Sequence, residues 1–231
     1  MKRATLLFGF VVAAMAMAQE TAYDLAWKTA DGDTAEYTFN AELVIGDQKF
    51  TVIGKNRDKT VSVAKDGSYT VESTQYGVTL KSEDGDQDLP DSEMTKLSMS
   101  ADRLILKSND NDESEFNSIR LGNLNTIRKP VKAVKVGDKW SSDIPSIVKG
   151  IPAVKADYEV LALEKVGSWE SLKIKIASRE VDSEEKATST GTVWIDVISG
   201  RPTKEVFNMK NVPFTMSPVP ININYSSERK K

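Results

Sequence analysis

Apolar and polar side chains alternate along most of this chain, and a period of two residues is typical of half-buried β-strands. In the stretch 37–45 five apolar side chains fall on one side, Tyr37, Phe39, Ala41, Leu43 and Ile45, and they alternate with Thr38, Asn40, Glu42 and Val44. Residues 171–179 repeat the pattern, with three aliphatic side chains on one face and two lysines on the other. We therefore predict a mainly β protein whose strands turn one face to the core.

Short turns separate the strand-like stretches in the second half of the chain. The turns at 166–168 and 199–202 each contain a glycine, which suits a tight hairpin connection. Because a parallel crossover needs a dozen or more residues, strands joined by such short turns must be antiparallel neighbours. We therefore predict that residues 149–210 form an antiparallel β-meander, with strands at 154–166, 171–179, 190–197 and 203–210.

The first half of the chain has the same organisation. The dipeptide Asp66-Gly67 is its strongest hairpin signal, because both residues tolerate the positive φ angles of a type I′ turn. The acidic stretch 82–92 interrupts the alternation and is predicted to be a loop. Strands are predicted at 23–28, 37–45, 50–52, 59–64 and 69–80, then as a short hairpin of 96–101 and 103–107, and finally at 221–225.

One segment shows helical rather than strand periodicity. We predict a helix over 114–127, which ends before Pro130 because proline disfavours helical backbone in the residue that precedes it. Its apolar residues fall on one helical stripe, which consists of Phe116, Ile119, Leu124 and Ile127.

The helix separates two runs of strands, 21–108 and 131–228. No stretch resembling a flexible linker joins them, so we predict a single antiparallel β domain over 19–231. The predicted architecture is one large curved sheet, similar to half a barrel, with the helix packed on its concave face. A curved sheet needs such a cover for its apolar side.

Residues 1–18 predict a signal peptide rather than a part of the fold. A basic start is followed by an apolar run at 6–16 and by Ala-Met-Ala at 16–18, a small-x-small cleavage site. The apolar run is short for a spanning helix, so a membrane anchor is the lesser alternative. No cysteine follows it, which excludes a bacterial lipobox. We therefore predict an exported protein of the periplasm or extracellular space, with no membrane-spanning segment after cleavage at Ala18.

The chain contains no cysteine and no histidine. Without cysteine there can be no disulfide, thiolate nucleophile or iron–sulfur cluster. Without histidine the usual general base and the commonest metal ligand are missing. The formal net charge of −3 at pH 7 offers no electrostatic basis for binding nucleic acid. We predict no cofactor and no nucleic-acid partner.

Three aspartates in the acidic stretch deserve comparison with a calcium loop. Asp84, Asp86 and Asp88 have the spacing of the first ligands of an EF-hand. The glycine and the bidentate glutamate that this loop needs are replaced by Leu89 and Thr95. A solvated acidic loop is therefore preferred over a weak Ca²⁺ site.

Two Ser-x-x-Lys sequences, at 62–65 and 146–149, have the spacing of a serine nucleophile and its lysine base. In a strand, residues three apart point to opposite faces, and the companion motifs of penicillin-binding enzymes are missing. A carboxylate pair could hydrolyse glycosides without histidine, but no pair stands out among the 34 acidic residues. We assign no catalytic, cofactor-binding or metal-ligating residue.

Several short motifs in the second half occur in a combination known from other proteins. They are Lys-Pro-Val at 129–131, Val-Gly-Asp-Lys-Trp at 136–140, Gly-Thr-Val-Trp-Ile-Asp at 191–196 and Ser-Gly-Arg-Pro-Thr at 199–203. In this combination the chain resembles a broad group of uncharacterised exported bacterial proteins. The resemblance implies a large antiparallel sheet like the half-barrels of the lipoprotein carriers LolA, LolB and LppX. It implies no catalytic residues.

Three functions are compatible with these features. In the first, a non-enzymatic exported envelope protein, acting as a monomer, holds a hydrophobic small molecule or lipid in the concave face of the sheet. In the second, the protein is a structural or interaction module with a closed core and no ligand. The third and least favoured is a hydrolase that uses carboxylates.

The ligand hypothesis directs attention to three faces of the fold. A cavity would lie against 37–45, 172–176 and the helix stripe within 116–127. The methionines beyond the signal peptide would suit an adaptable apolar wall, and they are Met94, Met99, Met209 and Met216. The same residues are equally expected in a closed core, so no site residue follows from the pattern alone.

Overall fold

Strands dominate the regular structure of the chain. The computed structural model describes residues 21–231, apart from 93, 109–111, 147–149, 182, 184, 185, 214–216 and 218, and gives only the backbone of 108 and 112–118. The predicted signal peptide at 1–18 lies outside the described residues.

Six strands precede the helix: β1 (Thr34–Ile45), β2 (Gln48–Val63), β3 (Tyr69–Ser82), β4 (Gly85–Leu89), β5 (Thr95–Met99) and β6 (Ile105–Ser108). After the helix α1 (Asp112–Asn125) come β7 (Lys139–Ile144), β8 (Val154–Val166), β9 (Trp169–Glu180), β10 (Thr188–Asp196), β11 (Pro202–Val212) and β12 (Ile221–Arg229).

All strands belong to one open antiparallel sheet of 12 strands, in the order β6-β5-β3-β2-β1-β12-β11-β10-β9-β8-β7, with β4 paired to β3. The last strand joins the two runs, because β12 lies between β1 and β11. Tyr37 pairs with Arg229, and Val44 pairs with Asn222. The structure thus confirms a mainly β fold with one large antiparallel sheet and one short helix.

The sheet curves around α1. The helix contacts β6 at one edge of the sheet and also β8, β9 and β10 near the opposite edge. Strands so far apart in the order can contact one helix only if the sheet bends around it. Register shifts in five strand pairs mark β-bulges or irregular pairing, and bulges increase local twist.

The concave face of the sheet and the inner side of α1 form the core. Leu172, Ile174 and Ile176 on β9 are fully buried, as the alternation at 171–179 predicts. Two residues of the predicted helical stripe, Ile119 and Leu124, are buried. The side chain of Phe116 lies outside the described residues. The helix end is tied down by Ser178 Oγ, which donates to the Leu124 carbonyl at 2.5 Å.

The segment 23–28 is not a strand, and that prediction is wrong. Only a single bridge, between Tyr23 and Val134, pairs this region with another segment. Leu25 is 1% exposed, so the alternation reflects packing across the concave face. The Leu25 carbonyl accepts a hydrogen bond from the Arg103 side chain instead of a neighbouring strand.

The acidic stretch 82–92 is not a loop throughout, because β4 forms a hairpin with β3 in which Ser82 pairs with Gly85. An edge strand accommodates charged side chains since both of its faces are solvated.

The predicted runs 50–52 and 59–64 belong to one strand, β2. The helix begins and ends two residues earlier than predicted. β7 was not predicted, because its central residues Ser-Ser-Asp are all polar and give no alternation of apolar and polar side chains.

Candidate functional site

A cavity of about 480 Å³ lies on the concave face, between the sheet and α1. This volume is within the roughly 300–1000 Å³ that is usual for small-molecule sites. Residues of both strand runs and of the helix line it. Gln75 belongs to the wall although its side chain is exposed, so the cavity opens to solvent beside β3.

One part of the wall is apolar. It is built where inward-facing positions of the sheet meet the β5–β6 hairpin and the C-terminal part of α1, and its side chains are Val71, Leu97, Met99, Ile105, Leu121, Ile127, Val193, Phe207 and Met209. Two of the four methionines considered above are among them. Long unbranched side chains adapt to ligands of different shape.

Gly122 and Gly191 allow this wall to form. A Cβ at Gly122 would lie 2.1 Å from Ile105 Cδ1, and one at Gly191 would lie 2.4 Å from Phe207 Cδ1. Both glycines therefore let a large apolar side chain cross the backbone closely. The close approach of Ile105 explains why a glycine, a poor helix former, lies inside α1.

The other part of the wall carries two carboxyl groups, Asp58 on β2 and Glu205 on β11. Asn56 Nδ2 donates to Asp58 Oδ1 at 2.7 Å, and Ser227 Oγ donates to Glu205 Oε2 at 2.9 Å. Within the part of the chain that the structure describes, neither carboxylate forms an ion pair. Both are surrounded by protein yet keep some accessible surface, because that surface faces the cavity.

Burial controls the ionisation of these groups. It raises the pKa of Asp58 above its usual value, against the opposing effects of Ser73, Asn56 and Arg201. It also raises the pKa of Glu205, where the charge of Asp58 adds to the rise while Ser227 and Arg103 oppose it. Burial likewise raises the phenol pKa values of the neighbouring tyrosines, Tyr37, Tyr69 and Tyr225, so these hydroxyl groups stay neutral.

Replacing both carboxyl groups by amides, in the variant Asp58→Asn/Glu205→Gln, is expected to stabilise the unliganded protein at neutral pH. A raised pKa in the folded state means that folding favours the protonated form of the wild-type carboxyl groups. Their contribution to wild-type stability is therefore complete below the unfolded pKa values and is lost as pH rises through the folded pKa values. The amides keep an oxygen for Asn56 and Ser227, and they remove the charge.

Urea titrations of the wild type and this variant across a pH series measure the effect. The stability difference should vanish at acidic pH and grow as pH rises above the ordinary range of carboxyl groups. A difference that is constant with pH, or a less stable variant at neutral pH, would contradict the assigned direction of the two pKa shifts.

An aromatic and cationic layer supports the carboxyl end of the cavity. Trp27 stacks on Tyr69 with ring centroids 4.6 Å apart, and the Arg201 guanidinium lies 4.9 Å from the Trp27 ring on which it packs. Arg201 is 1% exposed, and its Nη2 donates to Thr60 Oγ1 at 2.7 Å and to the Asp33 carbonyl at 3.1 Å. Arg201 thus joins the β10–β11 turn to β2 behind the cavity wall.

Arg103 contributes to the wall from the β5–β6 turn. Its φ of 70° is unusual for a residue with a side chain, and the side chain explains why it is tolerated. Nη2 donates to the carbonyls of Leu25 and Gly200 at 2.6 and 2.7 Å. These bonds hold three distant segments together at the carboxyl end.

The faces named from the sequence contribute unequally to this cavity. Tyr37 of the stretch 37–45 and Ile127 of the helix stripe line it. The stretch 172–176 does not, because its inward side chains are fully buried in the core. Asp58 and Glu205 had no distinguishing signal in the sequence beyond being acidic residues at inward positions of strands.

The motifs considered for chemistry lie away from the cavity. Asp86 lies 3.8 Å from Lys81, and Asp88 accepts a hydrogen bond from Thr79, both on the exposed β3–β4 hairpin. The described residues contain no group of acidic side chains that could hold a metal ion. Ser62 lies in β2, whereas Lys65 lies beyond the end of that strand at Val63, and Lys149 lies outside the described residues.

No helix in the described part of the chain is long and apolar enough to span a membrane. No protein-family model matches the sequence, and no curated protein shows significant similarity to it.

Solved structures show distant likeness. Lipovitellin has a TM-score of 0.48 and 11% identity over 86% of this chain, which spans only 25% of the lipovitellin chain. The hypothetical lipoprotein YmcC from Escherichia coli K12 has a TM-score of 0.32 and 12% identity over 88% of this chain and 90% of its own. A protein with a YmcC-like fold from Bacteroides fragilis has a TM-score of 0.34 and 11% identity over 91% of this chain and 100% of its own. With such low TM-scores, these likenesses carry no conclusion about function.

Proposed function

We propose that this chain is a non-enzymatic exported envelope protein that binds a hydrophobic small molecule or lipid in the cavity of its concave face. The supporting observation is the cavity itself, with an apolar wall to which the sheet, α1 and the β5–β6 hairpin all contribute. Apolar side chains around an unfilled space lose packing contacts on one side. A ligand that restores these contacts would bind and stabilise the fold. The proposal includes a cleaved signal peptide at 1–18 and a single domain over 19–231.

The cavity favours binding over the alternative of a closed structural module. A closed module requires side chains to fill the concavity, whereas here about 480 Å³ is left between the sheet and α1. The two carboxyl groups of the cavity are one location for the hydrolase hypothesis, and activity assays on glycosides would test it.

Native mass spectrometry of the mature protein, purified from its own envelope without detergent, tests the proposal. We expect additional mass that disappears after organic extraction, and analysis of the extract identifies the class of ligand. An unloaded mass, together with no uptake of added single-chain amphiphiles, would contradict binding and favour the closed module.

A Met99→Trp variant should reduce ligand uptake strongly, because the larger side chain occupies the apolar part of the cavity. The control is Leu106→Trp, which adds the same side chain to the same hairpin at a position that is 43% exposed and does not line the cavity. Uptake of a fluorescent amphiphile by the two folded variants is the measurement. Equal uptake would place the ligand elsewhere on the protein.

A further inference from the structure

We infer that the ligand of this cavity is an amphiphile with a cationic head group, such as a primary amine, which lies beside Asp58 and Glu205 while its apolar chain contacts the opposite wall. This inference rests on the proposed function, since it specifies the ligand of the same cavity. It concerns the charge of the head group, which the apolar wall alone leaves open.

The distribution of lining residues gives the cavity two ends. Inward-facing pairs along the sheet place Asp58 opposite Ala35 and next to Ser73. Glu205 pairs with Ser227 on one side and Val193 on the other. Val193 and Phe207 adjoin Glu205 on the sheet, and the apolar side chains of α1 and the β5–β6 hairpin complete the lining. A ligand that fills the cavity therefore needs both a polar and an apolar part.

The charge that faces the cavity is negative. Asp58 and Glu205 both line it and both keep accessible surface. Arg201 is 1% exposed and does not belong to the wall. Arg229 is also outside the wall, and its guanidinium lies 4.8 Å from the Trp169 ring. These cations make the potential at the carboxyl groups less negative from behind the wall, and they do not line the cavity.

Arg103 is the one basic residue of the described wall, and its guanidinium donates to backbone carbonyls. Its side chain is 5% exposed, and its Nη2 already donates to two backbone carbonyls. Its Nε is buried and has no hydrogen-bond partner among the described residues, but burial also keeps that atom from the cavity. An anionic head group would therefore meet two carboxylates before it met a free cation.

The carboxylates also lack a structural role that would explain them. Their hydrogen-bond partners, Asn56 and Ser227, are neutral, and a buried carboxylate without a counter-ion reduces stability. Groups that cost stability and lie in a cavity are typical of functional sites. A ligand cation would supply the missing counter-charge and recover that cost.

The test compares decylamine, decanol and decanoate, which share one apolar chain and differ in head-group charge. Their affinities for the mature wild-type protein are measured by calorimetry at neutral pH, below the concentrations at which they form micelles. One charge-assisted hydrogen bond corresponds to about tenfold to a hundredfold in affinity. We expect decylamine to bind tighter than decanol by such a factor and decanoate to bind most weakly.

Asp58→Asn/Glu205→Gln should abolish the preference for decylamine over decanol, while decanol should still bind through the apolar wall. The control is Glu42→Gln, which removes a carboxylate outside the cavity that lies 3.5 Å from Lys49. Acidification should weaken decylamine binding to the wild type, because protonation of Asp58 and Glu205 removes their attraction to the amine. The cationic groups near the pair are Arg201 beside Asp58 and Arg103 beside Glu205.

The outcomes separate the inference from the proposed function. If none of the three compounds binds, the cavity does not hold such ligands and both fail. If decanol binds as tightly as decylamine, or if the amide variant keeps the preference, the binding function stands and the cationic head group is wrong. Tightest binding of decanoate would also overturn the inference and would assign the polar end to Arg103.

Discussion

Replacing Arg120 by methionine is expected to lower the free energy of unfolding by about 3–5 kcal/mol, the cost of leaving one charge of a buried ion pair alone. Arg120 on α1 binds Glu180 on β9 through two nitrogens, with Nη2 2.7 Å from Oε2. The side chains of Arg120 and Glu180 are 12% and 0% exposed. Without the guanidinium, the Glu180 carboxylate would retain, among the described residues, the donors of Ser183 and the Ala187 amide.

Two comparisons identify the cause of this loss. Arg57→Met removes a surface arginine–carboxylate contact, in which two nitrogens donate to Oε1 of Glu36. The two side chains are 57% and 43% exposed, so little or no change is expected there. Adding Glu180→Gln to Arg120→Met should recover part of the stability, since it removes the uncompensated charge. Urea denaturation of the four proteins measures these effects. Equal losses for Arg120→Met and Arg57→Met would contradict the assignment of Arg120 as an anchor of the helix.

Gly200→Ala is expected to destabilise the protein by about 2–5 kcal/mol, which combines left-handed backbone strain with overpacking. Gly200 has a φ of 73° in the β10–β11 turn. A Cβ added there would lie 2.0 Å from the Ala26 carbonyl oxygen and 2.9 Å from its carbon. Because these are backbone atoms, no side-chain rotation can relieve the clash, and the contacts of Arg103 and Arg201 beside the cavity would shift.

Gly46→Ala separates the two contributions. Gly46 has a φ of 61°, but a Cβ added there would have no neighbour within 4 Å, so only strain of about 1–2 kcal/mol is expected. Denaturation midpoints and ligand uptake should both fall for Gly200→Ala, whereas Gly46→Ala should retain uptake. If the two variants lose equal stability, the close approach of residues 26 and 200 is not a constraint on the fold.

These two predictions concern contacts between segments that lie far apart in the sequence, and the alternation of side chains could not reveal them. The period-two pattern predicted β8, β9, β10 and β11 because each strand is half buried and joined to the next by a short turn. It failed at 23–28, where Leu25 is buried by packing across the sheet rather than by strand pairing. It failed again at β4, whose backbone pairing with β3 does not require apolar side chains.

The candidate site was only partly predictable for a related reason. Tyr37, Ile127, Met99 and Met209 were considered for an apolar cavity and do line one. Asp58 and Glu205 could not be selected among 34 acidic residues, because a carboxylate becomes distinctive only through burial and the lack of a counter-ion. Both properties depend on what surrounds the residue in space.

The sequence by itself determined the class of fold, since local alternation, turn residues and one helical stripe specify which segments become strands and which becomes a helix. It also excluded chemistry based on cysteine and histidine. Only the tertiary structure decided that β12 lies between β1 and β11, that the sheet bends around α1, and that two carboxylates and an apolar wall line one cavity. Strand order and curvature arise from packing between distant segments, and a local pattern carries no information about which distant partner satisfies it.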